Sequence, residues 1–290
     1  MSVRALVVDP TAPGAVRLAE VSDPTPGPGQ VLVAVSHASL NYGDLNDARS
    51  GRVPEGAVLG SDAAGVVVQA AADGSGPAVG TRVVALTSGA FAERVAIDVG
   101  ALAEVPKALD LARAVALPVA AVAALRSLRA AGLGPDKTVL VTGASGGVGR
   151  FAVQLAARAG AHVIASVGSA ARGKGLAEAG ADDVLIGLEG LRRPVDVVID
   201  SVGGPQLVAA WNLLSPGGSV QSRLDLRGTR GLSAVRDRRP GQVPDLLRRR
   251  RRRRRGPRVS HRAGRRGCPH RRDRLARILG PLRRGLQGPA

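Results

Sequence analysis

The sequence predicts an α/β protein made of a β-rich, partly open barrel, a doubly wound parallel sheet and a disordered tail. Three observations carry this: short apolar runs broken by Pro and Gly over the first hundred residues, alternating strand and helix patterns from Lys137 onward, and a sudden loss of pattern after Ser222. With 290 residues the chain can bury more than one core.

In the first part, Arg4 to Val8, Val31 to Val35, Ala63 to Val68, Arg82 to Leu86 and Phe91 to Ile97 are β-branched or apolar runs. Breaker strings such as Asp23-Pro24-Thr25-Pro26-Gly27-Pro28-Gly29 and Asp73-Gly74-Ser75-Gly76-Pro77 separate them. Near Ala112 the texture changes to Ala- and Leu-rich helix. Its most apolar run, Ala114 to Leu125, is short for a membrane span and contains Pro118. Strands then fall at Val139 to Val141, His162 to Val167, Asp183 to Ile186, Val195 to Ile199 and Ser219 to Gln221. Helices fall at Gly147 to Ala159, Arg172 to Ala179 and Gln206 to Leu214. A doubly wound sheet receives ligands at the carboxyl ends of its strands.

The net charge of +18 sits at one end of the chain. Residues 223–290 hold 24 Arg, no Lys and four Asp, whereas residues 1–222 come to −2. The body is therefore near-neutral, and the basic character that elsewhere signals nucleic acid or an anionic membrane belongs to the tail. That tail has eight successive arginines, Arg248 to Arg255, is rich in Gly and Pro, and has no aromatic residue to stack on bases. Two origins stand. One is a basic appendage for nucleic acid or acidic surfaces. The other, favoured by the abrupt loss of pattern, is out-of-frame translation, since a GC-rich gene read one base off turns GCG alanine codons into CGG arginine codons. A single cysteine, Cys268, excludes a disulfide framework and a cysteine-ligated zinc site within one chain. Together with the lack of a leader-like start, this leads us to expect a soluble, cytoplasmic protein without membrane partners.

The strongest local motif is Val139-Leu140-Val141-Thr142-Gly143-Ala144-Ser145-Gly146-Gly147-Val148-Gly149, a strand running through a glycine turn into a helix. Glycines let the backbone approach a pyrophosphate, and the helix N-terminus offers it unpaired N–H groups and positive dipole. The motif alone could be a tight turn; with strand, helix and second strand in order it points to a dinucleotide. At the end of the second strand an NAD enzyme needs a carboxylate for the ribose hydroxyls, whereas NADPH needs small polar groups and a cation for its 2′-phosphate. Ser166-Val167-Gly168-Ser169-Ala170-Ala171-Arg172-Gly173-Lys174 contains no acid. This favours NADPH, with Ser169 and Arg172 as leading contacts and Lys174 in reserve. The competing reading makes Arg172 and Lys174 the solvated first turn of a helix.

These motifs, with others in fixed order, resemble the quinone oxidoreductase (zeta-crystallin-like) branch of the zinc-independent medium-chain dehydrogenases/reductases. The resemblance runs over residues 1–222. It includes Pro-Gly-Pro-Gly-Gln at 26–30, Ser39-Leu40-Asn41-Tyr42-Gly43-Asp44, Val58-Leu59-Gly60-Ser61-Asp62-Ala63-Ala64-Gly65, Gly80-Thr81-Arg82-Val83, Gly89-Ala90-Phe91-Ala92-Glu93, Leu117-Pro118-Val119-Ala120 and Asp200-Ser201-Val202-Gly203-Gly204. It implies a GroES-like catalytic domain over residues 1–118, a Rossmann NADPH-binding domain over 119–222, and a tail over 223–290 outside the family pattern. Cofactor contacts would come from Gly143, Ser145, Gly146, Gly147, Val148, Gly168, Ser169, Arg172, Lys174 and Val202. The family also implies a homodimer, though through segments that should follow Ser222 and do not.

Zinc-dependent relatives carry a Cys before the Asp of the first motif and Gly-His-Glu where this chain has Gly60-Ser61-Asp62. Here Asn41 takes the cysteine-like place and Ser61 that of the histidine. No catalytic metal is expected without thiolate or imidazole ligands; His37, a lone imidazole beside a strand, reads as a packing or surface residue. Hydride transfer to a conjugated carbonyl then needs the nicotinamide held against an electrophilic carbon with water excluded. By resemblance Asn41 would donate its amide to the carbonyl oxygen. Asp44 either orients that region or caps the helix that follows. Tyr42 is either a pocket wall or core. Family tyrosines that would make the pocket aromatic are replaced at Asn46 and near Arg52, and Ala123 replaces a frequent threonine, so the acceptor, quinone or enone, stays open. Three functions follow: an NADPH-dependent quinone or enone reductase, a cofactor-binding but catalytically impaired relative, and a nucleic-acid binder acting through the tail.

Overall fold

Alternation of buried valines and alanines with exposed polar residues makes the N-terminal part a set of antiparallel strands. The computed structural model describes residues 1–222 and, as backbone only, Val235–Arg236. Expectations for the tail, including disorder, nucleic-acid binding and Cys268, lie outside the described residues. The described chain falls into two units, Met1–Val119 and a second starting at Ala120.

In the first unit, β1 (Ser2–Val8) and β2 (Val16–Ser22) form an antiparallel hairpin. β2 lacks a sequence signal because none of its residues is fully buried, so its apolar positions do not stand out. β3 (Gln30–Ser39), β4 (Asp62–Gln69), β5 (Arg82–Leu86), β6 (Arg94–Asp98) and β7 (Leu102–Glu104) make an open five-stranded antiparallel sheet in the order β6-β3-β4-β5-β7. Val31, Val33, Val67, Val83 and Ile97 fill its core. The strand expected from Phe91 starts instead at Arg94, because Phe91 and Glu93 bond to the hairpin: Leu6 N–H donates to Phe91 O and Glu93 N–H to Arg4 O. Helix α1 (Tyr42–Arg49) lies between β3 and β4 in sequence.

The apolar helical stretch is longer than Ala114 to Leu125. It comprises α2 (Leu111–Ala114), a π-helical turn at Leu117–Ala121 and α3 (Val122–Ala130). At 20 residues and a mean hydropathy of 1.6 it is long and apolar enough to cross a membrane, but 61% of its apolar window is buried inside the protein, as in a core helix.

The second unit has β8 (Thr138–Thr142), α4 (Gly147–Arg158), β9 (His162–Val167), α5 (Ala170–Gly173), β10 (Asp183–Ile186), β11 (Val195–Asp200), α6 (Gly204–Asn212), β12 (Leu214–Ser222) and β13 (Val235–Arg236). The sheet order is β10-β9-β8-β11-β12-β13, with the first five strands parallel, as a Rossmann sheet requires. β13 pairs antiparallel with β12. Both faces are covered, which is why these strands read as unbroken apolar runs. Val139 and Val141 pack toward α3 and α4, whereas Leu140 packs toward Leu207, Ala210 and Trp211 of α6.

Two helices differ from expectation. The helix anticipated over Arg172 to Ala179 is only the single turn α5, followed by turns, because Lys174 is extended (ψ 131) and Gly175 is left-handed (φ +77). α6 spans Gly204–Asn212 rather than Gln206 to Leu214; Pro205 suits its first turn, and Leu214 already opens β12.

Candidate functional site

At the carboxyl edge of the parallel sheet, β8 runs through Gly143 (φ +62) into α4. Gly149 lets the helix lie against the turn: a Cβ there would stand 2.4 Å from Gly143 O and 2.7 Å from Ala144 Cα. Gly146 is the N-cap and offers no side chain to the helix, so no side chain caps the first N–H groups of α4. Gly146 and Gly147 are exposed, Ser145 is half-buried, and Val148 packs against the core. An exposed, uncapped helix N-terminus behind a glycine turn fits a pyrophosphate in both shape and charge. Val202 stands beside it, since a Cβ on Gly143 would come 3.1 Å from Val202 Cγ2.

The edge is braced by Asp200, which carries no role in the motif reading. It accepts hydrogen bonds from Thr142 Oγ1 at 2.6 Å, Ser222 Oγ at 2.8 Å and Gly203 N at 3.0 Å, joining the ends of β8, β11 and β12. At the end of β9, buried Ser166 donates to Gly187 O and accepts from Gln206 Nε2. Beyond it Gly168, Ser169, Arg172 and Lys174 are all exposed. Arg150 of α4 reaches the Lys174 carbonyl, at 3.3 Å. This brings α4 and the segment after β9 together, with exposed cations from each.

The other constellation lies in the first unit, where β3 gives way to α1. Asn41 is the N-cap of α1: its Oδ1 accepts from Gly43 N at 2.8 Å and Asp44 N at 3.2 Å, while Asp44 Oδ2 accepts from Asn41 N at 2.9 Å. This is a capping box, so Asp44 does contribute to the cap, from inside the helix. Because Oδ1 is committed as acceptor, the amide nitrogen must point away from the helix. Nδ2 is buried and has no hydrogen-bond partner. Ser61 Oγ donates to Asp44 Oδ1 at 3.0 Å. Tyr42, 76% exposed, is not core.

Asp62, absent from the motif reading as a functional residue, is strongly perturbed. Its side chain is buried at the start of β4, where Oδ1 accepts the Val119 N–H at 2.7 Å. Burial pushes its pKa up to about 7; the Val119 hydrogen bond opposes this, and Asp44 adds to it. The Asn41 side chain also opposes the rise. Burial likewise raises the Asp44 pKa. A lone acid beginning an Ala/Gly/Val strand was the available signal. Among the described residues, no cluster of three or more His, Cys, Asp or Glu is placed to hold a metal ion. Asn41, Ser61 and Asp62 offer a neutral amide, a hydroxyl and a carboxyl already held by a backbone N–H, a poor set for zinc.

Residues 27–107 match the alcohol dehydrogenase GroES-like domain, and residues 147–222 match the zinc-binding dehydrogenase family. An acryloyl-coenzyme A reductase of Metallosphaera sedula is 31% identical over 235 residues, covering 69% of this chain and 70% of that protein. The chain therefore belongs to the medium-chain dehydrogenase/reductase family, whose members bind a nicotinamide cofactor. The quinone oxidoreductase from Coxiella burnetii superimposes with a TM-score of 0.72 at 26% identity, covering 77% of this chain and 75% of that one. Pikromycin polyketide synthase component PikAII of Streptomyces venezuelae is 35% identical over 234 residues, 74% of this chain, which spans only 6% of that synthase's length.

Proposed function

We propose that the protein transfers hydride from NADPH to an α,β-unsaturated carbonyl or a quinone without zinc. The observation that carries this is the exposed, uncapped N-terminus of α4, with Ser169, Arg172 and Lys174 and no carboxylate over residues 166–174. Similarity to an acryloyl-coenzyme A reductase and a quinone oxidoreductase supports the acceptor class. Bound NADPH supplies the hydride. Gly143, Ser145, Gly146, Gly147 and Val148 would hold its pyrophosphate with backbone N–H groups. Val202 and Gly168 would flank it, and Ser169, Arg172 and Lys174 would hold the 2′-phosphate. Asn41 would donate Nδ2–H to the acceptor oxygen as charge grows there, held by its two cap hydrogen bonds, with Asp44 locking the cap. Tyr42 is an exposed wall at the same helix start.

The donor set at Asn41, Ser61 and Asp62 supports zinc independence, and the single cysteine in the sequence suits a reducing cytoplasm. A second reading, a cofactor binder with impaired turnover, is favoured by the family match ending at residue 222 before the arginine-rich sequence. NADPH oxidation measured with a panel of quinones and enones, with NADH in parallel, tests both. Turnover favouring NADPH supports the reductase. Binding without turnover supports the impaired relative, and absence of NADPH binding refutes both.

A further inference from the structure

We propose that Ser61 is a positioning residue, its hydroxyl fixing through the Asp44 carboxylate where the Asn41 amide points. The proposal rests on the reading of Asn41 as the donor to the acceptor oxygen. Ser61 Oγ donates to Asp44 Oδ1 at 3.0 Å, and Asp44 Oδ2 accepts the Asn41 N–H at 2.9 Å. Asn41 Oδ1 in turn accepts the Gly43 and Asp44 N–H groups at 2.8 and 3.2 Å. This chain sets the plane of the Asn41 amide, and with it the direction of Nδ2, which is buried and has no hydrogen-bond partner.

Helix α1 needs such an anchor. It is eight residues long, and Asp44 and Ala48 are its buried residues, so little apolar packing holds its first turn. Ser61, by contrast, belongs to a braced segment just before β4. Its carbonyl accepts the Thr87 N–H at 3.0 Å, and the Gly60 carbonyl accepts the Ala90 N–H at 3.2 Å. Gly60 lies so close to Phe91 that a Cβ there would stand 2.6 Å from Phe91 Cδ1. The hydroxyl of Ser61 therefore ties the start of α1 to a fixed point on the sheet. Asp44 is 4% exposed, so bulk water cannot readily replace that hydroxyl. Without it Oδ1 is left unpaired, the carboxylate turns toward another donor, and the Asn41 N–H bonded to Oδ2 moves with it. Because Nδ2 meets the acceptor oxygen as charge grows there, its displacement is felt in the rate of hydride transfer and not in cofactor binding.

The test compares two variants of the full chain: Ser61→Thr, which keeps the hydroxyl, and Ser61→Val, which has the shape of threonine without it. The Asn41 side-chain amide is followed by ¹H–¹⁵N NMR, and NADPH oxidation with a quinone or enone is measured alongside. Ser61→Val should shift the Asn41 Nδ2 signals and lower kcat about tenfold with KM for NADPH unchanged, while Ser61→Thr stays close to the wild type in both. In an Asn41→Ala background Ser61→Val should cost no further activity, since it acts through Asn41. Asn41 signals that are alike in the two variants, or a loss of kcat that adds in full to that of Asn41→Ala, overturn the proposal. If Ser61→Val does not fold, Ser61→Ala, which adds no bulk, takes its place in each comparison. Wild-type turnover in Asn41→Ala would refute the donor reading of Asn41, and absence of turnover in every protein would count against the reductase; in either case the NMR comparison still decides whether Ser61 positions the amide.

Discussion

Gly149→Ala should destabilise the second unit although alanine is the better helix former. The new Cβ would stand 2.4 Å from Gly143 O, 2.7 Å from Ala144 Cα and 2.9 Å from Ala144 C, all backbone atoms of the turn that starts α4. No rotamer change relieves such contacts, so the helix must move away from β8. Overpacking of this kind costs about 1–3 kcal/mol, and the helix-propensity gain returns about 0.5–1 kcal/mol. A net loss of about 1–2 kcal/mol is expected. Trp211, the single tryptophan, is buried in the same unit, so its fluorescence during urea unfolding reports the relevant core. With a slope of about 2 kcal/mol/M the midpoint should fall by roughly 0.5–1 M. Gly146→Ala is the control, since its Cβ would approach only Gly143 O, at 3.3 Å, and the N-cap is exposed. It should leave stability within about 0.5 kcal/mol while weakening NADPH. A Gly149→Ala protein as stable as the wild type would refute the close-packing argument; unchanged NADPH affinity in Gly146→Ala would refute the cofactor placement.

Four further outcomes are expected. Asp62 has its folded pKa raised from 3.8 to about 7, so the native state holds a proton that the unfolded chain releases. Its contribution is present below pH 4 and is lost as pH rises toward 7, on the order of 4 kcal/mol; urea unfolding across that range should show this decline, and Asp62→Asn should flatten it. Arg172→Ala should weaken NADPH about tenfold, roughly 1.4 kcal/mol, and leave NADH unchanged; equal losses in titrations of both cofactors would contradict a 2′-phosphate contact. Asp200→Ala removes the acceptor of both the Thr142 and Ser222 hydroxyls and should lower stability by about 3 kcal/mol, taking two hydrogen bonds to a carboxylate at about 1.5 kcal/mol each; the Trp211 unfolding signal measures it. Resequencing the gene across codon 222 should reveal a frame change before the arginine run; an in-frame gene would establish the basic appendage instead.

Residue pattern alone was enough to specify the parallel sheet and the glycine turn at its carboxyl edge. Strands covered on both faces must be apolar throughout, and a glycine turn that opens a helix has few alternatives in sequence, so His162–Val167 and Asp183–Ile186 could be placed to the residue. The short α5 was less legible, because Gly175 is compatible with a helix locally and ends it only through its left-handed backbone. Asn41 could be singled out by its motif, but its cap bonds and buried Nδ2 could not, since they depend on how β3 enters α1. Asp62 and Asp200 needed the tertiary structure most. A carboxyl's proton affinity depends on solvent exclusion, on Asp44 lying 18 positions earlier in the chain, and on donors as distant in sequence as Val119 for Asp62 and Thr142 for Asp200. Sequence supplies the groups; folding sets the dielectric and the distances that decide what they do.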